Sequence, residues 1–198
     1  MAWWKVAQDA YCEPHRAYHA LEHIASMYDV FQLHHETLAL SSLESVFVLA
    51  IVFHDVVYDP LCKSNEADSI ASFRLFIDDV HPSLGPADIC LVESMIEATI
   101  RHQLPSSCHS DETRRVVGCF LDLDLAILSR STVLYDEYAK NIRLEYIAFG
   151  DAEFRQGRTA VLRSFLDRDQ LYFTPRFQNE WTAAGRANLE RELKALTD

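Results

Sequence analysis

The chain has 198 residues, 49% apolar and 24% charged, a composition that excludes a disordered or fibrous protein and is large enough for one well-buried domain. Its 30 acidic against 18 basic residues give a formal charge of −12, which repels a nucleic-acid backbone; with no basic cluster in the sequence, a nucleic-acid duplex is excluded as a partner. Five scattered cysteines without a CxxC pair, a start lacking a basic-then-apolar leader, and an apolar run (Val46–Phe53) too short to span a bilayer point to reduced thiols, a cytoplasmic setting and no membrane.

Glycine and proline are sparse, and apolar residues recur at helical rather than strand spacing, so the expected class is all-α. Tyr18, Leu21, Ile24, Ala25, Tyr28 and Phe31 predict one amphipathic helix from about Pro14 to His35. Ser41 or Ser42 then caps a largely buried helix, LESVFVLAIVFHDVVY, running to Tyr58. Ser64 caps the helix NEADSIASFRLFIDDV, and Gly85-Pro86 opens another that reaches Gln103. A polar loop, LPSSCHSDE, leads into a helix over Thr113–Ser129. Three further helices follow, over about 132–149, 152–167 and 176–196, parted by turns at Gly150 and Thr174-Pro175. One domain is expected, with a metal-binding core over about 13–130 and a helical remainder over about 131–198.

Three fragments place metal-binding side chains on these helices: Tyr18-His19-Ala20-Leu21-Glu22-His23, Phe53-His54-Asp55-Val56-Val57-Tyr58-Asp59 and Phe120-Leu121-Asp122-Leu123-Asp124-Leu125. His19 and His23 are four apart and would share a helix face. By itself such a pair is more often packing or surface than ligation. His54-Asp55 carries more weight because it ends the apolar run VFVLAIVF, where an unpaired carboxylate is costly to bury and a cation would compensate it. Asp122 and Asp124 are two apart, so on a helix they face different sides and only one belongs to a common site.

These fragments resemble the signature of the HD-domain phosphohydrolases: an early His, a His-Asp pair and a late Asp on separate helices. YHALEHI is similar to the YHxxxHA motif of cyclic-nucleotide phosphodiesterases, which implies that His19 donates a proton and His23 binds metal. FHDVVYDP is similar to the FLHDVVEDT segment of alarmone hydrolases, with Tyr58 in place of their glutamate and Asp59 matching their aspartate. The phosphodiesterase motif ADLS matches best at Asp124. YCEPHRAYH, KSNEADS, IEATIRH, GRTAVL and RANLERE extend the likeness to a bacterial family of predicted HD phosphohydrolases over most of the length.

The resemblance implies a divalent metal ion (Mn, Fe, Co, Ni, Zn or Mg) on His23, His54, Asp55 and Asp124, and hydrolysis of a small phosphate ester or pyrophosphate, such as a nucleotide, by metal-activated water. His19 would be the acid, and Asp59 or Glu66 would orient or deprotonate the water. Arg16, Lys63, Asn65 and His102 are candidate phosphate contacts, with His102 alternatively a ligand of a second metal. For each there is a plainer alternative: a surface ion pair for Arg16, a helix start for Lys63, Asn65 and Glu66, a helix end for His102. Two rival functions share the motif, a di-iron oxygenase and a catalytically silent nucleotide-binding module.

Overall fold

The computed structural model describes residues 3–106 and 108–197; Met1, Ala2 and Asp198, and Ser107 of the expected polar loop, lie outside it. Among the described residues there are nine α-helices and no strand: α1 (Trp3–Tyr11), α2 (Leu21–His34), α3 (Glu44–Phe53), α4 (Asn65–Val80), α5 (Pro86–Thr99), α6 (Asp111–Asp124), α7 (Thr132–Glu145), α8 (Asp151–Leu166) and α9 (Pro175–Thr197). Short 3-10 turns cover Ser41–Leu43 and Leu125–Ser129. The class is therefore all-α, and none of these helices is long and apolar enough to cross a membrane.

The most apolar helix occupies the middle. Val46, Phe47, Ala50, Ile51 and Phe53 of α3 are all buried, and α3 packs against α2, α4 and α5. The valine, isoleucine and phenylalanine side chains each contribute about 1.5–3 kcal/mol when removed from water, so the β-branched run is stable as a helix because most of its surface past the first turn is covered. Helix α6 packs on α2 and α5, while α9 runs along the 125–129 turn and α8. A single apolar cluster extends from Ala7 to Leu189. Close approach is needed where α6 meets the start of α9: a Cβ on Gly118 would lie 2.7 Å from the Cβ of Phe173.

Several helices are shorter than their periodicity suggests, because side chains take over the backbone at their ends. Residues 14–20 are not helical. The N–H groups of Ala17, Tyr18 and His19 all donate to Glu145 Oε1, at 2.7–2.9 Å, so this stretch satisfies its donors without a helical ladder. Helix α3 stops at Phe53 rather than Tyr58, since Arg16 donates to the carbonyls of Asp55 (2.7 Å) and Val56 (3.1 Å), and the His54 ring binds the Ile51 carbonyl (2.9 Å). Helix α5 ends at Thr99, not Gln103, and His102 turns into the left-handed region with φ 46°. The Ser64 hydroxyl donates to Asp68 instead of capping α4, whereas Ser110 does cap α6 through Thr113 N–H at 3.0 Å. Helix α1 was not among the expected elements; its Trp3 indole reaches Asp79 at the end of α4 (2.7 Å).

Candidate metal centre

Three helix ends bring the motif side chains together. His23 lies in the first turn of α2, His54 directly follows α3, and Asp124 is the last residue of α6. One ligand atom from each lies within 4.8 Å of the others, a grouping that suits a metal ion. His23 Nε2 is 3.2 Å from His54 Nε2 and 3.1 Å from Asp124 Oδ1. Asp55 stands beside the trio, its Oδ2 3.0 Å from His54 Nε2 and 3.9 Å from His23 Nε2.

The chemistry of this donor set fits a divalent cation. The His54 Nδ1–H is committed to the Ile51 carbonyl, which turns the Nε2 lone pair toward the cluster. Two imidazole nitrogens and two carboxylates then face one small volume with few protons to share, an arrangement a cation satisfies. The electrostatics without one show the same conflict. Burial pushes His23 down toward the neutral form. Burial also opposes charge on His54, yet the charge and hydrogen bond of Asp55, with Asp124, push its pKa up to about 9. Desolvation would raise Asp124, but hydrogen bonds from His102 and His23 hold it well below the usual carboxylate range.

Around the trio the expected residues have varied placements. His19 is not on the α2 face; it lies in the turn before that helix, so the one-turn relation to His23 is replaced by edge-on ring packing at 5.9 Å between centroids. Its Nδ1 is 2.7 Å from Glu145 Oε2, and its ring stacks on Tyr58 at 4.3 Å. Despite desolvation, the hydrogen bond to Glu145 and the charges of Asp55, Glu145 and Asp124 raise the His19 pKa. Arg16 is buried, with its guanidinium on Glu13 and on the carbonyls of His19, Asp55 and Val56. It clamps the two motif segments to each other, a structural task in place of the expected phosphate contact.

The segment after the His-Asp pair serves its own turn. Asp59, expected as a base, is exposed and accepts from Leu61 N–H at 2.8 Å. Asn65, expected at a phosphate, holds the Asp59 backbone through both amide atoms (3.0 and 2.9 Å). Lys63 is exposed and Glu66 half-buried in the first turn of α4. His102 does reach the centre, with Nε2 3.0 Å from Asp124 Oδ2. Asp122 is fully buried but points away, accepting from Phe173 N–H (2.8 Å) and Thr174 N–H (2.6 Å) at the start of α9. The two aspartates thus part as their spacing requires, Asp124 to the cluster and Asp122 to the backbone that leads into α9.

The sequence reading missed Glu145. This 3% exposed carboxylate closes α7 and accepts three backbone N–H groups, the His19 ring and the Tyr58 hydroxyl (2.9 Å). Its signal was the spacing Tyr135, Tyr138, Ile142, Glu145, which puts an acid on the buried stripe of α7. Comparison with known proteins adds no relative: no family model, no curated protein and no solved structure matches the chain.

Proposed function

We propose that this protein is a metal-dependent phosphohydrolase of the HD type, with His23, His54, Asp55 and Asp124 as the ligands of a divalent cation and His19 as the proton donor to the leaving oxygen. The observation that carries this reading is the convergence of His23, His54 and Asp124 from three helix ends, with a third imidazole, His19, held beside them by a buried carboxylate. A bound divalent cation would supply Lewis acidity toward a phosphoryl oxygen and lower the pKa of water. It would also offset local negative charge in a chain of formal charge −12, so that a phosphate could approach.

The chain's own groups do the rest. Glu145 favours the charged form of His19 and fixes its ring through Nδ1, which leaves Nε2 as the nitrogen able to donate. Tyr58 stacks on the His19 ring, and its hydroxyl donates to the same carboxylate. Arg16 fixes the turn that carries His19 relative to the His54-Asp55 end.

The test is metal analysis of the purified protein followed by a screen of small phosphate esters and pyrophosphates, nucleotides included. Metal in the protein and phosphate release that both fail in His23→Ala and Asp124→Ala support the reading. Redox-dependent spectra with no phosphate release would favour an oxygenase, and nucleotide binding without turnover under any metal would favour a binding module.

A further inference from the structure

At the end of α5 the backbone takes a conformation that His102 alone does not favour. His102 has φ 46°, a left-handed geometry that costs a non-glycine residue energy and persists only where its surroundings impose it. The turn is closed locally by the Gln103 N–H, which donates to the Ala98 carbonyl (3.3 Å), and is held from outside by Arg168, just beyond α8, whose guanidinium donates from Nη1 to the His102 carbonyl (2.9 Å) and from Nη2 to the Arg101 carbonyl (3.0 Å). These carbonyls lie in the turn just past α5, where a cation is favourable both as their donor and near the negative end of the helix. Phe165 of α8 completes the cradle, with its ring 4.4 Å from the Arg168 guanidinium carbon and edge-on to the His102 ring at 5.7 Å. So oriented, His102 Nε2 meets Asp124 Oδ2 at 3.0 Å, while the other oxygen of that carboxylate faces His23 at 3.1 Å.

We infer that His102 is a positioning residue for Asp124, and that Arg168 acts through it by holding the strained turn. The arrangement commits one carboxylate oxygen to His102, so that the other presents itself to the cluster with its rotation fixed. Groups that hydrogen-bond a ligating side chain in this way typically govern metal affinity without touching the metal. The inference rests on the proposed metal reading, and it moves His102 from substrate contact to ligand support.

The experiment is a chelator-competition titration of Co²⁺ with the metal-stripped full-length protein, with far-UV circular dichroism as the folding control and visible Co²⁺ spectra as a second readout. Asparagine tolerates the left-handed backbone but is too short to reach Asp124, whereas glutamine places an N–H where the Nε2 of histidine was. His102→Asn should therefore weaken Co²⁺ binding about 10–100-fold and shift the visible bands, and His102→Gln should recover much of the loss. Arg168→Met should weaken binding too, but should add nothing in the His102→Asn background, since two residues acting in series are not additive.

Equal affinity of wild type and His102→Asn would overturn the inference, as would a full Arg168→Met cost persisting in the double variant. A fall in stoichiometry with His102→Asn would also overturn it, by making His102 a ligand in its own right. Failure of the wild type to bind Co²⁺ would instead bring down the metal reading itself, and this inference with it.

Discussion

Glu145 Oε2 lies 2.7 Å from His19 Nδ1 across 126 positions of sequence, while its other oxygen gathers the N–H groups of Ala17, Tyr18 and His19. One buried carboxylate thus builds the turn that carries His19 and, with Asp55 and Asp124, raises the pKa of its ring against the cost of burial. In the proposed reaction His19 acts protonated, so its acid function fades as pH rises through its pKa. Glu145→Gln keeps an acceptor but removes the charge that raises that pKa. The basic limb of the kcat/KM profile should move to lower pH, with turnover on that limb down about tenfold for each pH unit of displacement. A profile that keeps its basic limb in place would show that Glu145 shapes only the loop.

The same pair should be visible in stability. Burial would raise Glu145, but the His19 bond and charge, with the backbone N–H groups, bring its pKa down from 4.5 to about 2. Its contribution is therefore present above pH 4.5 and lost as pH falls through about 2. His19 is shifted the other way, raised from 6.5, so its contribution is complete below pH 6.5 and is lost as pH climbs through the higher folded value. The pair stabilises most between pH 4.5 and 6.5. Urea unfolding of metal-stripped protein should show Glu145→Gln less stable by roughly 2–3 kcal/mol in that window, with the two curves converging toward pH 2. Parallel curves at all pH values would contradict this.

His19 and His23 should fail differently. His23→Ala should lose metal and phosphate release together, because His23 sits in the converging trio. His19→Ala should keep metal while turnover falls about 10²–10⁴-fold, the usual size of a general-acid contribution. Nitrophenyl esters, which need little protonation on leaving, should rescue His19→Ala more than alkyl esters do. Metal content measured beside kcat for both ester types decides it; loss of metal in His19→Ala would make His19 a ligand.

Asp122 and Asp124 provide a further contrast. Asp122→Ala removes the acceptor for Phe173 N–H and Thr174 N–H at the start of α9, at a cost of about 2 kcal/mol. For a chain of this size that is roughly a 4–8 °C fall in Tm, and metal content should be unchanged. Asp124→Ala should do the reverse, abolishing metal retention, since Asp124 carries the contacts to His23 and His102. Calorimetric scans with metal analysis on both variants check this, and metal loss in Asp122→Ala with none in Asp124→Ala would exchange their roles.

Periodicity was enough to reveal an all-α chain, and the apolar run ending in His54-Asp55 marked a charged group too costly to bury without compensation. The two-residue spacing of Asp122 and Asp124 likewise required that they face apart. These are local properties, read from neighbours a few positions away. Tertiary structure alone decided the rest. It supplied the reason that Asp124, which the motif likeness favours, joins the cluster and Asp122 does not: Asp122 accepts from the half-buried Phe173 and Thr174 N–H groups just before α9, 51 and 52 positions later. It started α2 late and ended α3 early because Glu145 and Arg16 satisfy backbone groups that periodicity assigns to helix. It also turned Arg16 from a free cation into a clamp. Buried donors and acceptors must all be paired, and which distant side chain pairs them is settled only when the helices pack.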